Sequence, residues 1–154
     1  VNDPTKLPST MPSVIVISSL GSQTALTLVR RALDEAAYHQ WRIAVAVADA
    51  NGAILASARM DGVAPPILEF AFDKAFTAAT MRRTTAAFAE RMDSSPGLRL
   101  GLATRERLLT WAGGLPIIHD GQVIGAIGIS GARDHEDVAC AEATLAAEGL
   151  AWEA

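Results

Sequence analysis

The sequence predicts an α+β domain in which an antiparallel sheet of hairpins carries segregated helices. Three observations predict it. Two pairs of short β-type segments turn back through Asn51-Gly52 and Asp120-Gly121, dipeptides suited to tight hairpin turns. Stretches with apolar residues at 3–4 spacing precede, separate and follow these pairs. The order of helix, hairpin, helices, hairpin, helix contains no βαβ unit, so the sheet is antiparallel rather than doubly wound.

Residues 1–12, rich in Pro, Thr and Ser, are expected to form a loose tail before one domain spanning 13–154. Val14–Ser18 is short and β-branched, a first strand or an extended lead-in. Ser22 suits the start of a helix through Gln40. Ala25, Leu28, Val29, Ala32, Leu33 and Ala36 form its buried stripe, with Arg30, Arg31, Asp34 and Glu35 opposite. Ile43–Ala48 is continuously apolar, as in a strand covered on both faces. Ala53–Met60 returns as its partner. In the helix predicted over 67–81, Ile67, Leu68, Phe70, Ala71, Phe72, Ala75, Phe76, Ala78, Ala79 and Met81 surround almost the whole cylinder. One face can meet the sheet, and the other calls for a partner subunit or a ligand. A helix over 85–92 follows, then a break at Ser94–Gly97. Residues 98–111 read as partly helical. Leu115–His119 and Gln122–Ile129 form the second hairpin, and Asp134 opens a closing helix to about Gly149, with Val138, Ala141 and Leu145 inward.

A chain of 154 residues with half its residues apolar is large enough for a real core. A net charge of −4 argues against a nucleic-acid surface. The local pairs Arg82–Arg83 and Arg105–Arg107 have acids nearby and read as solvated helix faces. The single cysteine, Cys140, rules out an intrachain disulfide, and the Cys-x-x-Cys-His motif of covalent haem attachment is absent. No apolar run reaches the ~20 residues of a membrane span. Residues 1–13 show no secretory signal, although a chain starting at Val1 leaves room for one removed earlier; the expectation is a cytoplasmic protein.

The run Gly125-Ala126-Ile127-Gly128-Ile129-Ser130-Gly131 has neither dinucleotide nor hydrolase-elbow spacing, and close strand–helix packing explains it better. His39, His119 and His135 show no metal-site spacing. His119 ends a strand, where a ligand could approach. Lys74 is the sharpest single residue, because a lysine in a nearly apolar helix is costly unless paired. It either reaches an acid elsewhere, such as Asp61, or meets an anionic ligand.

Several stretches in fixed order resemble the GlcG/HbpS haem-binding family, which includes the C-terminal domain of PduO-type corrinoid adenosyltransferases. They are Ala46–Gly52, Ala58–Gly62, Asp73–Ala79, Gly113–Ile117 and Asp120–Gly131. The resemblance spans about 24–150. It implies a profilin-like fold, a five-stranded antiparallel sheet with helices packed on its faces, often assembled into dimers or octamers. It also implies haem binding by some members, and implies no other cofactor. The stretch 98–112 departs from the family pattern with Arg99, Arg105, Glu106, Arg107 and Trp111.

The leading expectation is an oligomeric small-ligand-binding protein for haem or a similar planar anion, with neither nucleic acid nor membrane as partner. Arg59 and Lys74, with Arg105 or Arg107, would meet carboxylates. Phe72, Phe76 and Trp111 would supply apolar walls; Thr77 and the Gly113-Gly114 backbone would complete one cleft, and His119 is the axial candidate for iron. The alternative is a cofactor-free enzyme, of lyase or isomerase type, acting on a small aromatic or oxygenated catabolic intermediate. Lys74 would then be base or nucleophile, with Asp61 or His119 as acid–base partner. A third reading is an oligomeric regulatory module with no chemistry of its own.

Overall fold

The computed structural model describes residues 12–153. The elements are α1 (Ser22–Tyr38), β1 (Ala44–Asp49), β2 (Ile54–Arg59), α2 (Pro65–Met81), α3 (Thr85–Asp93), α4 (Pro96–Leu102), β3 (Gly114–His119), β4 (Gln122–Ser130) and α5 (Asp134–Ala147). The tail expected at 1–12 lies outside the described residues except for Pro12.

The sheet is antiparallel with order β2-β1-β4-β3. It has four strands, which corrects the expectation of five. Val14–Ser18 has no regular structure and joins no ladder. β4 is paired along most of its length by β1 and β3, and the lead-in reaches the sheet through the bond from Leu20 N to Ile124 O, at 2.8 Å, while Ser19 Oγ accepts from Ala50 N at 3.1 Å. Val14, Ile15, Val16 and Ile17 are left exposed.

Both hairpins form where expected, by different turns. Asp120 and Gly121 both have positive φ, as a two-residue primed turn requires. In the first hairpin only Gly52 does. There Asp49 Oδ1 accepts from Asn51 N and Ala53 N, which folds the chain into a longer turn.

The two faces of the sheet differ in side-chain size. Ile43, Val45, Val47, Leu115, Ile117, Ile127 and Ile129 pack with the inner faces of α1 and α5. The opposite face is lined by Ala44, Ala46, Ala48 and Ala126, together with Gly114 and Gly128, and takes α2 through Ala71, Ala75 and Ala78. The approach is close. A Cβ on Gly128 would collide with Ala71 O and lie 2.6 Å from Ala75 N; one on Gly114 would lie 2.5 Å from Lys74 O. The glycine-rich run of β4 is thus a seat for a helix, and β1 is covered on both faces.

Much of the outer side of α2 is covered by the chain itself. Residues 104–111 run without regular structure along it as a strap. Thr77 Oγ1 donates to Arg107 O at 3.1 Å and accepts from Leu109 N at 2.9 Å. This contact takes up apolar surface that the sequence assigns to a partner subunit or a ligand.

Candidate functional site

The strap and α2 together create the main aromatic and charged surface. Thr77 is fully buried and fixes the strap at its middle. Arg107, held there with positive φ, places its guanidinium 4.0 Å from the Phe76 ring centre and 3.5 Å from Asp73. Burial raises the Asp73 carboxyl above its ordinary value, and Arg107 opposes that rise. Further along, Trp111 is half exposed and meets Phe70 edge-to-face, with ring centres 5.0 Å apart. Phe76 also supports the first hairpin turn, because Gly52 leaves room for its ring. Phe72 lies partly buried against Ala44, Ala46 and Ala48.

Lys74 points the other way. Its Nζ donates to Ile129 O at 2.7 Å and to Asp137 Oδ2 at 3.1 Å. Asp137 Oδ1 accepts from Ala132 N at 3.1 Å. Burial lowers the Lys74 pKa and raises that of Asp137; the attraction between the two opposes both shifts. Gly113 and Gly114 close over this pair. A Cβ on Gly113 would lie 3.1 Å from Lys74 Nζ, so the glycines serve the ion pair as well as the helix packing. The Lys74 side chain is 2% exposed, which leaves its amine no access to a substrate.

The acid that meets Lys74 is therefore Asp137 rather than Asp61. Asp61 is exposed, and its carbonyl accepts from Arg42 Nη2 at 2.5 Å. Arg59 bonds Val63 O and lines a separate open cleft with Arg42, Met60 and Asp61. His119 is exposed at the tip of the second hairpin and pairs with Asp120 at 3.4 Å. It lies five positions along the strand from Gly114, roughly 16 Å at ~3.3 Å per residue. The structure thus gathers Phe76, Thr77, Lys74, Gly113, Gly114 and Trp111 around α2, with Phe72 on its sheet-facing flank, and leaves Arg59, Asp61 and His119 elsewhere.

Sequence reasoning missed Asp137 as the partner of Lys74. The signal was present: Asp137, Cys140, Ala141, Thr144 and Leu145 are all buried and follow 3–4 spacing. It also missed an apolar cleft of about 340 Å³ between α3, α4 and the start of the strap. Among the described residues, no group of three or more His, Cys, Asp or Glu side chains could hold a metal ion, and no helix is long and apolar enough to cross a membrane.

Residues 20–146 match the family model described as "Haem degrading protein HbpS-like". Protein GlcG of Escherichia coli strain K12 is 37% identical over 111 residues, which is 72% of this chain and 81% of the relative. Among solved structures, PduOC in complex with haem matches with a TM-score of 0.80 at 28% identity, covering 88% of this chain and 99% of that one. A double mutant of HbpS from Streptomyces reticuli matches with a TM-score of 0.79 at 27% identity, covering 95% and 98%.

Proposed function

Since this chain belongs to the HbpS-like family, we propose that it binds haem, or a similar planar tetrapyrrole carrying carboxylates, on the face where the strap crosses α2. The carrying observation is that one strap brings Arg107 onto Phe76 and, further along, the half-exposed Trp111 onto Phe70. A flat apolar ring needs an aromatic wall, and its carboxylates need a fixed guanidinium. This face offers both, so its residues fit such a group. Bound haem would supply an iron centre. The protein's own part in this reading is to hold the ring edge through Arg107 and to shield one face with Trp111 and Phe70. His119 has no part in it.

Haem titration followed at the Soret band tests the reading. Arg107→Gln and Trp111→Ala should each weaken binding by about tenfold or more, the size of a strong interface contact. His119→Ala should bind like the parent. Unchanged affinity in both Arg107→Gln and Trp111→Ala would overturn the assignment.

The reading includes self-association. Val14, Ile15, Val16 and Ile17 are 78%, 71%, 95% and 56% exposed, an apolar run that a second copy would cover. Sedimentation at micromolar concentration should show an oligomer; a clean monomer would count against it.

A further inference from the structure

The cleft formed by α3, α4 and the start of the strap is separate from the Trp111 face. Its floor and walls are Met81, Phe88, Met92, Leu98, Leu102 and Leu108. At about 340 Å³ it lies at the small end of ligand pockets, which run roughly 300–1,000 Å³. Three features argue that it is a built site rather than a packing fault.

First, α4 packs on α3 and on no other described helix or strand, and none of its residues is buried. Its apolar side is turned toward Phe88 and Met92 without sealing against them. Second, Gly97 and Gly101, one helical turn apart, line the opening. A Cβ at either would meet nothing within 4 Å, so a side chain added there has no clash to relieve. Third, Arg105 stands at the rim. Its guanidinium bonds only the Thr104 hydroxyl and makes no ion pair among the described residues. Nearby arginines are engaged differently: Arg99 with Asp93, and Arg107 with Asp73. Residues 82–107 carry six arginines against three acids, a local excess of +3 in a chain of net charge −4.

We propose that this cleft binds a medium-chain aliphatic monocarboxylate, with the chain among the methionines and leucines and the carboxylate on Arg105. Flexible thioether and leucine walls suit an alkyl chain, which needs no fixed planar slot. An unpaired guanidinium beside an apolar groove selects an acid over a neutral chain of equal length. The volume is small for a tetrapyrrole, and the site goes beyond the haem reading without depending on it.

Calorimetric titration of the full chain with decanoate, and with decanol as the neutral control, tests the proposal. Decanoate should bind at least tenfold more tightly than decanol. Arg105→Gln should remove that preference and leave decanol unchanged. Gly101→Phe should fill the cleft and abolish both, with the melting temperature kept, because the position has neither positive φ nor a close neighbour. Gly97→Leu provides the same block from the preceding turn. Haem titration of either blocked variant should match the parent. Equal binding of decanoate and decanol would overturn the proposal, as would normal binding by both blocked variants. A changed subunit count in the blocked variants would make the cleft a subunit contact instead. Loss of haem binding with decanoate binding would make it part of the haem site.

Discussion

Lys74 and Asp137 meet at 3.1 Å across the end of the sheet, one from each helical layer, with both side chains 2% exposed. A buried pair of this kind adds little net stability over a well-packed apolar pair, but losing one member leaves the other charged and unsolvated. Lys74→Met should therefore cost about 3–5 kcal/mol. That corresponds to a fall in Tm of roughly 10 °C for a domain of this size. The double variant Lys74→Met/Asp137→Leu should recover most of the loss. A single variant that melts like the parent would show that the carboxylate does not depend on Lys74.

Thr77→Val keeps the shape of the side chain and removes both bonds to the strap. Leu109 N then loses its acceptor, at a cost of about 1–3 kcal/mol. The local effect should exceed the global one. Limited trypsin digestion should cut faster after Arg105 and Arg107, and haem affinity should fall because Arg107 is no longer fixed. Equal digestion rates would separate the strap from Thr77.

Gly128→Ala should push α2 off the sheet, since the added methyl group would meet backbone atoms of Ala71 and Ala75 that cannot swing aside. Overpacking of this sort costs about 1–3 kcal/mol. Gly121→Ala meets no neighbour and pays only for its positive φ, so it should destabilise less. Chemical denaturation of the two variants compares them directly.

Cys140 is fully buried, and burial pushes its thiol pKa up to about 12 from the ordinary 9.0. In the native protein at pH 8 it should react with aromatic disulfide reagents only as fast as the chain opens. Above pH 9 the unfolded thiol ionises while the folded one stays protonated. The folded state then holds the extra proton, so stability falls as pH rises, by about 1.4 kcal/mol per pH unit between 9 and 12. Cys140→Ala should show a flatter stability profile over that range. Identical slopes would refute this account.

Hairpins, helices and the antiparallel class were legible because turn dipeptides and apolar periods are local signals. The strand count was not. Val14–Ser18 has a strand's composition, but pairing depends on a tertiary neighbour, and the chain first bonds the sheet at Leu20, beyond this segment. Lys74 stood out because a charge in an apolar helix is visible in one dimension. Its partner lies 63 residues away on another helix, where a one-residue offset decides whether Asp137 or Val138 faces inward. For His119 the sequence showed a strand end but not which end of the sheet: the residue lies exposed at the tip of the second hairpin, beside Asp120. The α3–α4 cleft has no sequence signature, because it arises from how two short helices lean on each other.

The order β2-β1-β4-β3 also sets how far apart in sequence the central contacts of the sheet lie. Each hairpin closes through a short turn, but the seam between them joins Asp49 to Gly125 and Ala44 to Ser130, residues 76 and 86 positions apart. Nothing local brings these strands together. Loop-closure entropy rises only slowly with length, yet it must be met before the seam returns any contacts. The residues at the seam that face α2 are small, Ala46 opposite Gly128 and Ala48 opposite Ala126, so they gain little from one another. Their burial comes from α2, which is encoded between the two hairpins. α2 is thus the element whose docking buries the seam and ties the two hairpins into one packed unit.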